Sequence, residues 1–112
     1  MGAQGTATID FGAFPGASDT SLAVTGQGSI LSGSLVEAWI FPTATTDHSA
    51  DEHLVEKIRI TAGNVSAGTG FTIYAVNDNQ LYEQTPYQGK GGNATGSQPV
   101  VYGKWTIAWV WN

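Results

Sequence analysis

The stretch YGKWTIAWVWN, residues 102–112, contains three of the four tryptophans in this chain of 112 residues. Successive side chains of a β-strand point to opposite faces, so Trp105, Ile107, Trp109 and Trp111 share one face. Each buried aromatic ring removes about 150–250 Å² from water, which makes such a face a strong source of stability. We therefore predict that these residues lie in the core and that the segment is the closing strand inside a sheet.

An exposed row of the same tryptophans would have a different use. Trp105, Trp109 and Trp111 would then form a platform on which sugar rings could stack, as in a carbohydrate-binding module. The interleaved Ile107 favours the core.

The composition is that of one small globular domain. Hydrophobic residues make up 41% of the chain and charged residues 12%, and its 15 glycines suit short strands joined by turns. A formal net charge of −5 with only 4 Lys and Arg argues against nucleic-acid binding, which needs clustered cations. Cysteine is absent, which excludes disulfides and thiolate metal sites. With neither a signal-peptide pattern nor a bilayer-spanning apolar run, we expect a soluble protein without membrane partners.

The hydrophobic pattern predicts an all-β fold, an antiparallel β-sandwich that is jelly-roll-like and has about six to eight strands. One domain covers residues 1–112, with a flexible N-terminal arm at 1–5 and a long loop at 78–99. The predicted strands lie at 6–12, 20–27, 34–41, 53–62, 70–77 and 100–111. The third is apolar on both faces apart from Glu37, so we predict that it is central and that Trp39 is a core residue.

The polar segment DHSADEH, residues 47–53, concentrates histidines and carboxylates that could bind a metal ion. Its spacing does not match the H-E-x-x-H pattern that places two ligands on one helix face, and a solvated acidic turn is the favoured interpretation. Ser49 and Glu52 have the spacing of a capping box, which predicts a helical turn here. A helix over 50–58 is the alternative to the strand predicted at 53–62. No metal or other cofactor is predicted.

Enzyme chemistry has no positive support in the sequence, and we predict a protein that is not an enzyme. GNVSAG lacks the spacing of a nucleophile elbow, and GQGSIL lacks the residues of a phosphate-binding loop. Glu37 in an apolar strand could be a perturbed carboxylate, although pairing or exposure at a sheet edge is the simpler explanation. A hydrolase would have to depend on Glu37 or His48.

Aromatic residues in predicted loops are the candidates for a contact surface with another protein. Phe14, Tyr82 and Tyr87 lie in segments that otherwise contain turn residues. Capping of the sandwich ends is the alternative explanation for them.

The segments IDFGAFPG, HSADEHLVE, GTGFTIYAVN and YGKWTIAWVWN together resemble small virion proteins of tailed bacteriophages. The size and β character are similar to capsid decoration or cement proteins, in particular the staple proteins of epsilon15-like phages. This resemblance implies a location on the outer capsid surface of the virion, after synthesis in the bacterial host cytoplasm. It implies the major capsid protein as partner, bridging of neighbouring capsid subunits, and a homodimer or homotrimer. The alternative is a tail- or fibre-associated module that binds a receptor or carbohydrate.

Overall fold

The computed structural model describes residues 2–78 and 100–112. Its strands and single described helix follow the chain in this order: β1 (Ala3–Asp10), β2 (Asp19–Val24), β3 (Val36–Ile40), α1 (Ala50–Val55), β4 (Ile58–Ser66), β5 (Gly70–Asn77) and β6 (Lys104–Trp111).

Two antiparallel sheets pack together as an all-β sandwich, as predicted. One has the strand order β1-β6-β3 and the other β2-β5-β4. The tryptophan-rich strand β6 is therefore central, with β1 on one side and β3 on the other. The described strands establish the sandwich, and the jelly-roll assignment stays a prediction.

The inner face of β6 forms the middle of the core, as the alternation predicted. Trp105, Ile107, Trp109 and Trp111 are all buried there. Small residues of β1 stand opposite three of them, with Gly5 across from Trp109 in the antiparallel register, and Ile9 stands opposite Trp105. A Cβ on Gly5 would lie only 2.7 Å from the Trp109 ring, so this position must carry no side chain.

The prediction for the third strand is wrong in two respects. β3 lies at the edge of its sheet order and not at the centre. Trp39 is 43% exposed and is not a core residue, because it points to the outer face of the sheet together with Glu37. Only the other face of β3 is covered, where Ala38 is buried between the sheets.

Two other segments differ from their predictions. Residues 3–5 are not a free arm, because they belong to β1 and pair with residues 109–111. The segment 53–62 is divided: α1 extends to Val55, and β4 begins at Ile58.

The predicted capping box is confirmed, since Ser49 and Glu52 exchange side-chain and backbone hydrogen bonds at the start of α1.

All but the first residue of the predicted 78–99 loop lies outside the described residues. Among those that the structure describes, no helix is long and apolar enough to cross a membrane.

Candidate functional site

Exposed apolar side chains are the distinctive surface feature of the described part of this protein. Most of them lie at the two ends of β6 and on the outer face of β3, whereas Tyr74 lies on β5 of the other sheet. The large exposed ones are Phe14, Leu31, Leu35, Trp39, Phe41, Leu54, Val55, Tyr74 and Val100. Patches of exposed apolar side chains mark interaction sites in folded proteins.

The first concentration lies beside the start of β6, in an open groove of about 470 Å³. We call it the Phe14 groove, and Phe14, Val55, Val100 and Tyr102 form its apolar lining. Phe14 is 79% exposed. Its ring meets the Tyr102 ring edge-on, with 5.4 Å between the centroids. A predicted contact residue is thus held by an aromatic neighbour while most of its ring faces solvent.

His48 forms the inner wall of this groove and is buried. Its ring stacks on Trp105 with a centroid distance of 3.8 Å. One ring nitrogen, Nε2, lies 2.7 Å from the Tyr102 carbonyl oxygen, and the other, Nδ1, lies 3.0 Å from the Glu52 carboxylate. Both partners are acceptors, so the doubly protonated imidazolium form can donate to both.

Glu52 completes the acidic side of the groove. Its pKa is lowered, first because the backbone N–H of Ser49 donates to the carboxylate, and then because His48 donates to it and adds positive potential. Partial desolvation opposes this shift. The carboxylate therefore stays ionised in mildly acidic solution and keeps a negative charge at the groove.

His53, one turn further along, has the opposite hydrogen-bonding requirement. It is buried, Nδ1 donates to the Ser49 carbonyl at 2.7 Å, and Nε2 accepts the Thr106 backbone N–H at 3.0 Å. A ring that both donates and accepts must be neutral. The backbone carbonyl of Thr106 accepts the N–H of Phe41, which lies just beyond the end of β3. His53 therefore takes the place of a β3 residue as the acceptor for the Thr106 N–H.

The remaining contacts of the 47–53 segment also bind it to β6. Asp47 accepts the Lys104 backbone N–H at 2.8 Å. Gly103 has a φ of +83°, and a Cβ there would lie within 3 Å of Asp47 and His48. Among the described residues, no group of three histidine, cysteine or carboxylate side chains could hold a metal ion. Residues 47–53 therefore anchor the start of α1 to β6. The two buried histidines differ from the solvated turn that the sequence favoured.

The second concentration lies at the opposite end of β6. We call it the leucine patch, and it consists of Leu31 and Leu35, both largely exposed. Shallow depressions beside them are lined by Trp111 and Asn112. Reciprocal backbone hydrogen bonds between Leu35 and Asn112 fix the patch to the end of the strand.

The third concentration is the outer face of β3. Leu35, Glu37, Trp39 and Phe41 alternate with inward-facing residues and therefore share this face. Trp39 stands opposite the small Ala108 of β6 in the antiparallel register. Glu37 is exposed, in agreement with the simpler of its two explanations.

The predicted contact residues have different outcomes. Phe14 lies in the groove described above, whereas Tyr82 and Tyr87 lie outside the described residues. Leu35, Val55 and Trp39 are surface residues that were not predicted as such from the sequence. For Trp39 a signal was present, because Glu37 shares its face by alternation.

Comparisons with protein-family models, with curated proteins and with solved structures find no match to this chain. Its own geometry is therefore the basis for assigning a function.

Proposed function

We propose that this protein is a non-enzymatic structural protein of a bacteriophage virion. It is made in the bacterial host cytoplasm and binds the outer surface of the assembled capsid as a decoration, or cement, protein. There it bridges neighbouring major capsid subunits. The observation that supports this function best is the presence of exposed apolar contacts at both ends of one rigid strand.

The two ends are far enough apart to reach two partners. The Phe14 groove lies where β6 begins and the leucine patch lies where it ends. A strand of 8 residues rising about 3.3 Å per residue separates them by about 25 Å. Two contacts at this separation can bind two capsid subunits at once.

Binding at two sites explains how a small protein can stabilise a large shell. Once one end is bound, the other faces its site at a high effective concentration, which can raise the apparent affinity about 10²–10⁴-fold without any new contact. Rigidity favours this arrangement, and β6 is held on both sides by its neighbouring strands. Each contact can therefore be individually weak.

The test is rebinding of the purified protein to capsids that lack it, measured by sedimentation with the particle and by the particle's resistance to heat. Phe14→Ser and Leu35→Ser each remove one end. We expect each to reduce apparent affinity by about 10²–10⁴-fold, because one-point attachment loses the gain from linkage. The matched control is Tyr74→Ser, an exposed aromatic on the other sheet, which should bind as wild type. Failure of the wild-type protein to rebind or to protect the capsid contradicts the proposal.

A carbohydrate- or receptor-binding module of a tail or fibre is the second candidate, and exposed Trp39 favours it. The row of Trp105, Trp109 and Trp111 cannot stack on sugars because all three are buried. Trp39, beside the Glu37 carboxylate and the Phe41 ring, could do so. A glycan array with tryptophan fluorescence tests the carbohydrate-binding function: quenching by a sugar that disappears in Trp39→Phe supports it, and the absence of glycan binding contradicts it.

A further inference from the structure

We infer that the outer edge of β1 is a self-association site, at which two copies of this chain pair their β1 strands antiparallel and join two sheets into one. This inference goes beyond the proposed function and does not depend on it. A dimer could form whether or not a capsid is the partner.

Among the described residues, the outer edge of β1 has only one of the usual protections against strand pairing, the charged Asp10 at its end. β1 is last in its sheet order, and no described strand pairs on that side of it. Its pairing with β6 runs without a bulge from Ala3 to Asp10. Edge strands are normally shielded by lysine, proline, bulges or short length. The sequence AQGTATID contains no lysine or proline and is 8 residues long.

The other sheet edges are different. β4 has a register break between Gly63 and Ser66, and it carries Arg59 on its exposed face. β3 lies beside β4 where the two sheets approach each other. β2 has 6 residues and is shorter than β1. β1 therefore offers the longest regular edge among the described strands.

The hydrogen-bond phase identifies the backbone groups available to a partner. Phe11 donates its N–H to the Gly103 carbonyl, which places the odd-numbered residues of β1 in the hydrogen-bonded pairs with β6. The N–H and C=O groups of the even-numbered residues must then point away from the sheet. They belong to Gln4, Thr6, Thr8 and Asp10, and all four residues are exposed.

These residues complement a second copy of themselves. A two-fold axis beside Ala7 pairs Thr6 with Thr8 of the other copy and Gln4 with Asp10 of the other copy. Threonine pairs across strands are favourable, and an amide opposite a carboxylate can donate a hydrogen bond to it. The single charged residue of the strand does not face its own copy. On the inner face the two Ala7 residues form a non-hydrogen-bonded pair, the kind in which opposite side chains lie closest together. Their small side chains fit this short distance.

The experiment is sedimentation velocity of the full chain over a wide concentration range at about 0.15 M salt, where repulsion between two acidic copies is screened beyond about 8 Å. We expect a monomer–dimer equilibrium for wild type. Thr8→Pro removes an outward N–H twice per dimer, which should weaken association by roughly 10- to 100-fold. The melting temperature of the diluted monomer should be unchanged apart from a small proline effect. The matched control Ala7→Pro removes an N–H directed to β6 and should unfold the monomer.

A charge test remains informative if the proline variant fails to fold. The Thr6→Lys, Thr8→Lys double variant places lysines opposite lysines across the axis, and Thr6→Glu, Thr8→Glu places carboxylates opposite carboxylates. Each should be monomeric alone, and an equimolar mixture should form a heterodimer. A wild type that stays monomeric at every concentration overturns the inference. A dimer that persists in both charge variants also overturns it, because the contact must then lie elsewhere.

Discussion

Trp105 and Trp39 are the same side chain on adjacent strands of one sheet, but Trp105 is 1% exposed and Trp39 is 43% exposed. The difference comes from the face that each occupies. Trp105 points between the sheets and stacks on His48, whereas Trp39 points outward beside Glu37. Hydrophobic residues on the inner face hold the fold together, and those on the outside and at the ends of β6 are available for binding.

The largest expected effect comes from shortening β6. Deleting residues 109–112 removes two buried tryptophans and the end of the central strand β6, where it pairs with both β1 and β3. We expect a chain without a cooperative thermal transition, measured by circular dichroism and calorimetry. A cooperative transition near the wild-type temperature would show that these residues are not needed for the core.

The tryptophan comparison can be tested directly by making the same change on both faces. Trp105→Ala should lower the free energy of unfolding by about 3–5 kcal/mol, because it leaves a cavity in the core. Trp39→Ala should change it by less than about 1 kcal/mol, as expected for a surface position. Urea denaturation measures both values. Equal losses would contradict the assignment of the two faces.

A smaller loss is expected when β6 loses its histidine acceptor. His53→Leu leaves the partly buried Thr106 N–H without an acceptor and should cost about 1–3 kcal/mol in the free energy of unfolding. His53→Gln retains a side-chain oxygen that can accept a hydrogen bond and is the matched control. If both variants are as stable as wild type in urea, His53 does not anchor β6.

The smallest effect concerns Glu52 and depends on pH. Its folded-state pKa lies below the ordinary value of 4.5, so the ionised carboxylate stabilises the folded state. This contribution is fully present above pH 4.5 and is lost as pH falls through the lowered folded-state pKa. The melting-temperature difference between wild type and Glu52→Gln should therefore shrink from pH 7 to pH 3. A difference that is as large at pH 3 as at pH 7 would contradict this role of the Glu52 carboxylate.

Strand existence was predictable because alternation is a local property of the sequence. The period-two pattern of residues 104–111 and the tryptophan content identified the core strand and its inner face. The same reasoning failed for β3, because a run that is apolar on both faces does not reveal whether both faces are covered in the folded protein. Glu37 was the local sign that one face meets water.

The surface sites depended on contacts that no local pattern encodes. Phe14 could be selected as an aromatic in a turn, but its partner Tyr102 lies far along the chain. The roles of His48 and His53 likewise depend on backbone atoms of Tyr102 and Thr106. Sequence spacing alone could therefore suggest a metal site here but could not reveal an anchor to β6.

A map of the intact virion by electron cryomicroscopy, at a resolution that shows side chains, is the most direct test of the proposed binding to the capsid. We predict density for this sandwich on the outer capsid surface, with the Phe14 groove against one capsid subunit and the leucine patch against another. Absence from the shell, or attachment to it through neither surface, would contradict it.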